Sequence, residues 1–295
     1  MDVKRFRTYF FSVGNDDGSS FKAALESIFE MSPEQRVYEG VRLLDLQTTQ
    51  IDGKNYVSGD IERIYMDNLP SKTGNDIEPD DLSLDEDEGL GYNTAFVYYE
   101  DKNILALQSN VNGVGYSRFR DYINSVLHKK GDASGFYINP IIVSDDNAEK
   151  VLNNQLSPSF KSISFSIDNP DNFNFVPSDE QASIIKDLVK GARSSNALKM
   201  TVTLSVGREK ERFLDKNKLL SVIREALGNN KERVRKLEAR ASLDGGENTD
   251  LNFLPSKLQY LGEIRVERNQ PSLESRVKAI KAAFMHFKEY ISTRE

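Results

Sequence analysis

Hydrophobic and polar residues alternate at strand spacing in several segments of the first half of the chain. Two of these segments flank Asp52-Gly53, a dipeptide that suits the positive φ angles of a tight hairpin turn. Apolar residues at helical spacing predict one helix from Phe21 and another over residues 116–126. The predicted strands cover residues 3–13, 41–51, 56–65, 94–99, 104–109 and 136–143.

The second half of the chain continues this mixture of strands and helices. Ser178–Gln181 has the spacing of a capping box and predicts the start of a helix. A further helix is predicted over residues 214–227. The predicted strands cover residues 160–167, 198–206, 233–243 and 258–266. We expect the last two to form a long antiparallel pair joined around Gly245-Gly246.

The terminal segment has the most regular pattern. Its apolar residues repeat at 4-3-4-3-4 spacing at Leu273, Val277, Ile280, Phe284, Phe287 and Ile291. This predicts a long amphipathic helix packed on the preceding antiparallel sheet, with packing against a second copy in a dimer as the alternative.

Hairpins outnumber β-α-β units along the chain, which predicts an α+β protein with mainly antiparallel sheets and interspersed helices. The composition changes near residue 156. We therefore expect two lobes, an acidic N-terminal lobe (1–155) and a basic C-terminal lobe (156–295) that ends in the amphipathic helix.

The 295 residues include no cysteine and only two histidines. This composition excludes disulfides, iron–sulfur clusters and thiolate zinc sites, and it disfavours a multi-histidine metal centre, so we expect no metal and no cofactor. No apolar run reaches the roughly 18 residues that a membrane span requires. Residues 1–6 lead into a strand pattern without the apolar core of a signal peptide, which predicts a cytoplasmic protein.

Charge is distributed unevenly along the chain. Residues 1–185 carry 16 basic and 31 acidic side chains, whereas residues 186–240 carry 15 basic and 7 acidic ones, a net charge of +8. Rows of basic side chains suit the phosphates of a nucleic-acid backbone. The alternative is a solvated surface of lysine and glutamate pairs. The candidate nucleic-acid-binding residues are Lys199, Arg208, Lys210, Arg212, Lys216, Lys218, Arg224, Lys231, Arg233, Arg235, Lys236 and Arg240.

Residues 70–91 predict a loop, and the run of acidic residues within it, over 76–88, could compete for this basic surface. The same region allows a weak nuclease motif, in which Asp80 and Glu100 would hold Mg²⁺ and Lys102 would stabilise charge. Because both parts of the motif fall in predicted loops, and no other catalytic constellation occurs, we expect a protein that is not an enzyme.

The layout of these elements resembles the RexA family of lambdoid prophage exclusion proteins. The resemblance rests on Ile51–Lys54, on Asp85–Tyr92, on the aromatic strand at Phe96–Tyr98, and on the basic residues that follow 198–206 before the terminal helix. It implies a cytosolic homodimer that acts in antiviral defence by abortive infection. Such a protein binds DNA without strong sequence preference and signals to a membrane-protein partner. The alternatives are a metal-dependent nuclease effector and a pure protein-interaction module.

Overall fold

Two units divide the chain, and the first of them is discontinuous in sequence. The structure, a computed structural model, describes residues 2–51, 54–67, 69–74, 77–132, 135–168, 170, 183–207, 209, 211–228, 233–266 and 271–292. Unit 1 comprises Met1–Ile141 and Lys257–Glu295, and unit 2 comprises Ile142–Ser256. This division differs from the expected lobes 1–155 and 156–295, because the last strand and helices return to the first sheet.

The helices and strands follow one another in an irregular order. From the N-terminus these are β1 (Asp2–Asn15), α1 (Phe21–Phe29), β2 (Val41–Ile51), β3 (Lys54–Tyr65), β4 (Lys72–Gly74), β5 (Ile77–Asp80), β6 (Leu90–Tyr99), a 3-10 helix (Glu100–Lys102), β7 (Ile104–Gln108), α2 (Tyr116–Lys129), β8 (Phe136–Pro140), β9 (Ile142–Val143), α3 (Asp146–Leu152), β10 (Pro158–Asp168), α4 (Ser183–Ser194), β11 (Lys199–Ser205), α5 (Lys216–Leu227), β12 (Val234–Leu243), β13 (Asn248–Asn252), β14 (Ser256–Lys257), β15 (Gln259–Val266), α6 (Leu273–His286) and α7 (Lys288–Ser292).

Unit 1 is built on a seven-stranded sheet in the order β15-β1-β7-β6-β3-β2, with β8 also paired to β1. Helices α1 and α2 cover one face, and Leu25, Ile28, Phe119 and Ile123 are fully buried against it. Ser20 caps α1, since its hydroxyl accepts a hydrogen bond from the amide of Ala23. Burying each of these four apolar side chains on this face contributes about 1.5–3 kcal/mol to the stability of the fold.

The opposite face of the same sheet is covered by α6. Ile280, Ala283 and Phe284 are buried there, and the Phe284 ring stacks on Tyr99 with centroids 3.5 Å apart. The terminal helix therefore packs on an antiparallel sheet, as expected. It is not one long helix, because α6 ends at His286. The next residue, Phe287, has φ −104° and ψ 10°, outside the helical region, and α7 follows.

A buried ion pair joins α6 to β3. The Arg276 guanidinium donates to both carboxylate oxygens of Asp60, at 2.7 and 2.6 Å. The two side chains are only 9% and 4% exposed. Asn93 donates to Asp60 at 3.3 Å, so the carboxylate accepts a third hydrogen bond. This pair fixes α6 in register along the sheet.

The acidic region predicted as a loop contains a short hairpin, because β4 pairs with β5 in an antiparallel ladder. Strand β6 then begins at Leu90, before the predicted end of the loop. Asp85 and the acidic residues that follow it to Glu88 lie in turns and coil and are exposed. In the part of the chain that the structure describes, these side chains form no ion pair with a basic residue.

Unit 2 is a four-stranded antiparallel sheet in the order β11-β10-β12-β13. The core lies on one face, where side chains from α3, α4 and α5 pack on apolar residues of the strands. The buried residues include Phe160, Ile163, Phe165, Ile223 and Leu237. Alternate residues of the strands point to the other face of the sheet, which therefore carries polar side chains.

The α+β class with mainly antiparallel sheets is confirmed, but one predicted strand pair is wrong. Strand β12 pairs with β10 and β13, whereas β15 pairs with β1 of unit 1. The cause is local: Asp244 (φ 48°) and Gly245 (φ 79°) form a tight left-handed turn that returns the chain at once to β13. Helix α3 was not predicted; Asp145 caps it through the amides of Asn147 and Ala148.

Candidate nucleic-acid interface

The polar face of the unit 2 sheet, termed the open face, has a floor of small hydroxyl side chains. Register places Thr203 beside Ser164 and Thr201 beside Ser166. In each pair the threonine Oγ1 and the serine Oγ are 3.1 Å apart. The open face consists of Ser162, Ser164, Ser166, Asp168, Lys199, Thr201, Thr203, Ser205, Arg235, Lys236, Glu238, Arg240, Ser242, Asn248, Asp250 and Asn252. Short hydroxyl side chains let a ligand approach the backbone closely and offer donors for phosphate oxygens.

Three cations on the open face are paired with carboxylates. Arg235 contacts Asp168 at 2.7 Å and Lys236 contacts Glu238 at 3.1 Å. Arg240 lies opposite Asp250 in register, with a separation of 4.0 Å. The side chains of these pairs are between 35% and 91% exposed. Exposed pairs of this kind contribute only about 0–1 kcal/mol, so a phosphate can replace the carboxylate.

Lys199 differs from these three cations. It begins the edge strand β11 and is exposed, opposite Asp168 in register. Within the described residues its ammonium group has no carboxylate within 4.0 Å. The four cations and three carboxylates described on the open face give it a net charge of +1.

The open face is concave beside β12 and β13. A groove of about 470 Å³ lies there, lined by side chains of both signs and by the hydroxyl floor. Its polar lining is Ser162, Ser164, Lys236, Glu238, Arg240, Asp250 and Asn252. None of the described residues that line it is aromatic, so it offers a phosphate hydrogen-bond donors but offers a base no ring to stack on.

The structure separates the predicted basic residues into two groups on opposite sides of unit 2. Lys199, Arg235, Lys236 and Arg240 share the open face. Lys216, Lys218 and Arg224 lie on α5, which packs on the core side of the sheet. The prediction of one continuous basic surface is therefore wrong, because a helix and a strand that adjoin in sequence lie on opposite faces of the layer.

The helix-side cations are already engaged by neighbouring groups. Lys216 donates to the Ser157 hydroxyl at 2.9 Å. Arg224 donates to the carbonyl of Leu152 and to the side chain of Asn154, each at 3.0 Å. These contacts fasten α5 to the segment that precedes β10, which is a structural role.

The remaining predicted residues fall outside both groups. Arg212 is exposed in the loop before α5 and lies 3.8 Å from Glu209. Arg233 precedes β12 and is half-buried. Arg208, Lys210 and Lys231 lie outside the described residues.

A bulge changes which residues of β12 share a face. Ser166 pairs with Lys236, but the next residue, Ile167, pairs with Val234, so Arg235 is an extra residue in the ladder. The two-residue spacing of Arg233 and Arg235 in the sequence predicts that they share a strand face. In the structure the row on β12 is instead Lys236, Glu238 and Arg240. The hydroxyl floor was also missed, although Ser162, Ser164 and Ser166 alternate visibly with apolar residues in the sequence.

The residues of the weak nuclease motif occupy separate elements. Asp80 ends the small hairpin strand β5, and Glu100 begins the 3-10 helix, where Lys22 is its ion-pair partner at 3.7 Å. Among the described residues, no group of three or more histidine and acidic side chains could hold a metal ion. The described helices include none that is long and apolar enough to cross a membrane.

Comparison with protein families assigns the chain to one of them. A family of unknown function (DUF6731) matches residues 26–290. The chain belongs to this family. The match runs through both units, so the two-unit arrangement lies within the family's own span. A search of curated proteins finds no match.

Proposed function

We propose that this protein is a nucleic-acid sensor that binds DNA through the open face of unit 2 without reading its sequence. The observation that supports the proposal is the placement of Lys199, Arg235, Lys236 and Arg240 on one hydroxyl-lined sheet face. Cations and hydroxyls bind phosphate oxygens, which are the same at every base pair. Without aromatic side chains to stack on bases, the face supplies affinity but little sequence preference.

The carboxylates of this face tune the binding. DNA phosphates must displace Glu238 from Lys236 and Asp250 from Arg240, so binding is weak and strongly dependent on salt. The role in phage exclusion, the homodimer and the signal to a membrane-protein partner come from the resemblance to the RexA family and form part of the same proposal.

Fluorescence anisotropy with two labelled duplexes of unrelated sequence tests the binding step. We expect both duplexes to bind with similar affinity. Lys199→Gln, Lys236→Gln and Arg240→Gln together remove up to three phosphate contacts. The slope of log K against log salt should then become less steep by up to about 2.7, at roughly 0.9 per contact.

The matched control removes three exposed lysines from the helix side of the same unit, Lys150→Gln, Lys190→Gln and Lys218→Gln. We expect this variant to keep the wild-type slope. An equal loss in both variants would show that only total charge matters and would overturn the assignment of the face.

A gain-of-binding variant gives an independent check. Glu238→Gln with Asp250→Asn frees Lys236 and Arg240, so DNA affinity should rise. Glu149→Gln with Asp187→Asn changes the net charge equally, from exposed positions on α3 and α4, and should have less effect. Salt-sensitive self-association without DNA binding would favour the protein-interaction module, and metal-dependent cleavage of the duplex would favour the nuclease.

A further inference from the structure

Strands β1 and β15 form the edge of the unit 1 sheet and carry three arginines on one face. Their antiparallel register pairs Val3 with Arg265, Arg5 with Glu263 and Arg7 with Leu261. Paired residues of neighbouring strands lie on the same face of a sheet. Arg5 and Arg7 are two residues apart, so their backbones are about 7 Å apart along the strand.

Neighbouring residues establish which face this is. Phe6 and Ile264 are buried on the side covered by α6, and Phe10 packs on Phe287. Phe11 turns the other way and stacks on Tyr116 of α2, with ring centroids 4.9 Å apart. The arginines therefore share the face of Phe11, on a part of the sheet that remains exposed.

The exposure of this region includes apolar side chains. Val3 and Leu261 are each 56% exposed, and Arg5, Arg7 and Arg265 are exposed as well. Arg7 donates to the hydroxyl of Tyr9 at 3.4 Å. At the end of this strip Lys257 lies over the Tyr116 ring, 4.9 Å from its centroid. We call Arg5, Arg7, Tyr9, Leu261 and Arg265 the arginine face.

The charge of the arginine face is not neutralised in place. Within the described part of the chain, no carboxylate lies within 4.0 Å of the guanidinium groups of Arg5, Arg7 or Arg265. Glu263 is opposite Arg5 in register but forms no ion pair with it. Three cations and one carboxylate leave a local charge of +2, on fewer residues than the open face of unit 2.

We infer that the arginine face binds single-stranded nucleic acid. Guanidinium groups bind phosphates and stack on bases, and the half-buried Tyr9 and the exposed Leu261 offer surface to unstacked bases. A duplex hides the flat faces of its bases, so it could use only the cations. The inference rests on β1 and β15 alone and does not depend on the open face of unit 2.

A labelled twelve-nucleotide thymidine oligomer is the probe. We expect Arg5→Gln with Arg7→Gln to weaken its binding about 25-fold at 0.1 M salt. Each phosphate contact with a single strand adds roughly 0.7 to log K for every tenfold reduction in salt, so two contacts add about 1.4 between 1 M and 0.1 M salt. The control is Lys278→Gln with Lys288→Gln, which removes two exposed lysines from α6 and α7. This control should bind as the wild type does.

Two further measurements separate base contact from simple charge attraction. Leu261→Ser should weaken oligomer binding about fivefold while leaving heparin binding unchanged. If heparin, a poly-glutamate peptide or a duplex of the same length binds as tightly as the oligomer does, the inference is overturned in favour of a general polyanion surface. Equal losses of oligomer binding in the arginine and lysine variants would also overturn it.

The Lys199, Lys236 and Arg240 variant separates this inference from the proposed function. We expect it to keep full oligomer binding while losing duplex binding. If the wild-type protein binds the duplex but not the oligomer, the inference is overturned and the proposed function is not. If the wild-type protein binds the oligomer but not the duplex, the proposed function is overturned and the inference is not.

Discussion

The ion pair between Arg276 and Asp60 should be the most costly polar contact of unit 1 to break. Replacing Arg276 with methionine keeps most of the side-chain volume but removes both charged hydrogen bonds to Asp60. The carboxylate is 4% exposed and would keep only Asn93 as a hydrogen-bond donor among its described contacts. A buried charge without its partner is far less stable than the same charge in water.

The expected loss is about 3–5 kcal/mol of unfolding free energy, the usual cost of removing one partner of a buried pair. Unit 1 has about 180 residues, from Met1–Ile141 and Lys257–Glu295. For that size each kcal/mol lowers the melting temperature by about 2–4 °C, so the variant should melt about 6–20 °C below the wild type. Asp60→Asn in the Arg276→Met background removes the stranded charge and should recover at least half of the loss.

Urea unfolding followed by far-ultraviolet circular dichroism measures these losses, since the chain has no tryptophan. The matched control is Arg120→Met. Arg120 lies 2.7 Å from Asp121, but its side chain is 40% exposed and that of Asp121 is 60% exposed. This pair is as short as the buried one, yet its loss should cost under about 1 kcal/mol.

Two results would refute this reasoning. One is an Arg276→Met variant no less stable than Arg120→Met. The other is a double variant, Asp60→Asn with Arg276→Met, whose loss equals the sum of the two single losses, because independent contributions would mean that the groups do not interact.

Tyrosines in unit 1 give two further predictions. Tyr122 accepts from the amide of Leu43 at 3.0 Å and donates to the carbonyl of Arg36 at 2.9 Å, so Tyr122→Phe should lower the free energy of unfolding, measured with urea, by about 1–3 kcal/mol. The buried hydroxyl of Tyr99 has no partner among the described residues, so Tyr99→Phe should be neutral or stabilising; an equal loss in both variants would contradict this. Burial raises the pKa of Tyr98 and of Tyr122 from 10 to about 12, so their neutral forms stabilise the fold fully below pH 10, and that contribution is lost as the pH rises from 10 to 12. Tyrosinate absorbance and circular dichroism should change together over that range; titration of both residues near pH 10 in the folded protein would contradict the assignment.

Local features of the fold were readable from the sequence because they depend on neighbouring residues. Strand alternation located β2 and β3, whose antiparallel register runs outward from the pair Ile51 and Lys54. The Ser20 cap and the apolar spacing of α2 are likewise local. Periodicity shows which face of an element is buried, but it does not identify the strand beside it.

The pairing between distant strands could therefore not be predicted from the sequence. Asp2 pairs with Val266, and no property of either segment specifies the other. The same limit applied to the candidate site. Arg5 and Arg7 are visibly on one face of a strand, but Arg265 joins them only through that pairing. In unit 2 the basic run was visible, but its division between α5 and the open face depends on how the layers pack.

The net charge of −7 does not oppose binding at either surface, because a bound phosphate responds to nearby charges. Interactions between exposed charges are largely screened beyond about 8 Å at physiological ionic strength. Affinity therefore depends on whether the cations within that distance are already paired with carboxylates. The open face loses part of its attraction to Asp168, Glu238 and Asp250. Among the described residues, the arginine face has Glu263 as its one carboxylate and has no ion pair to break. Replacing an arginine of the arginine face should thus cost close to the full value of about 0.7 in log K expected of one contact with a single strand at 0.1 M salt. Replacing a cation of the open face should cost clearly less than the roughly 0.9 of an unpaired contact with a duplex, although the count of charges along the sequence points to unit 2.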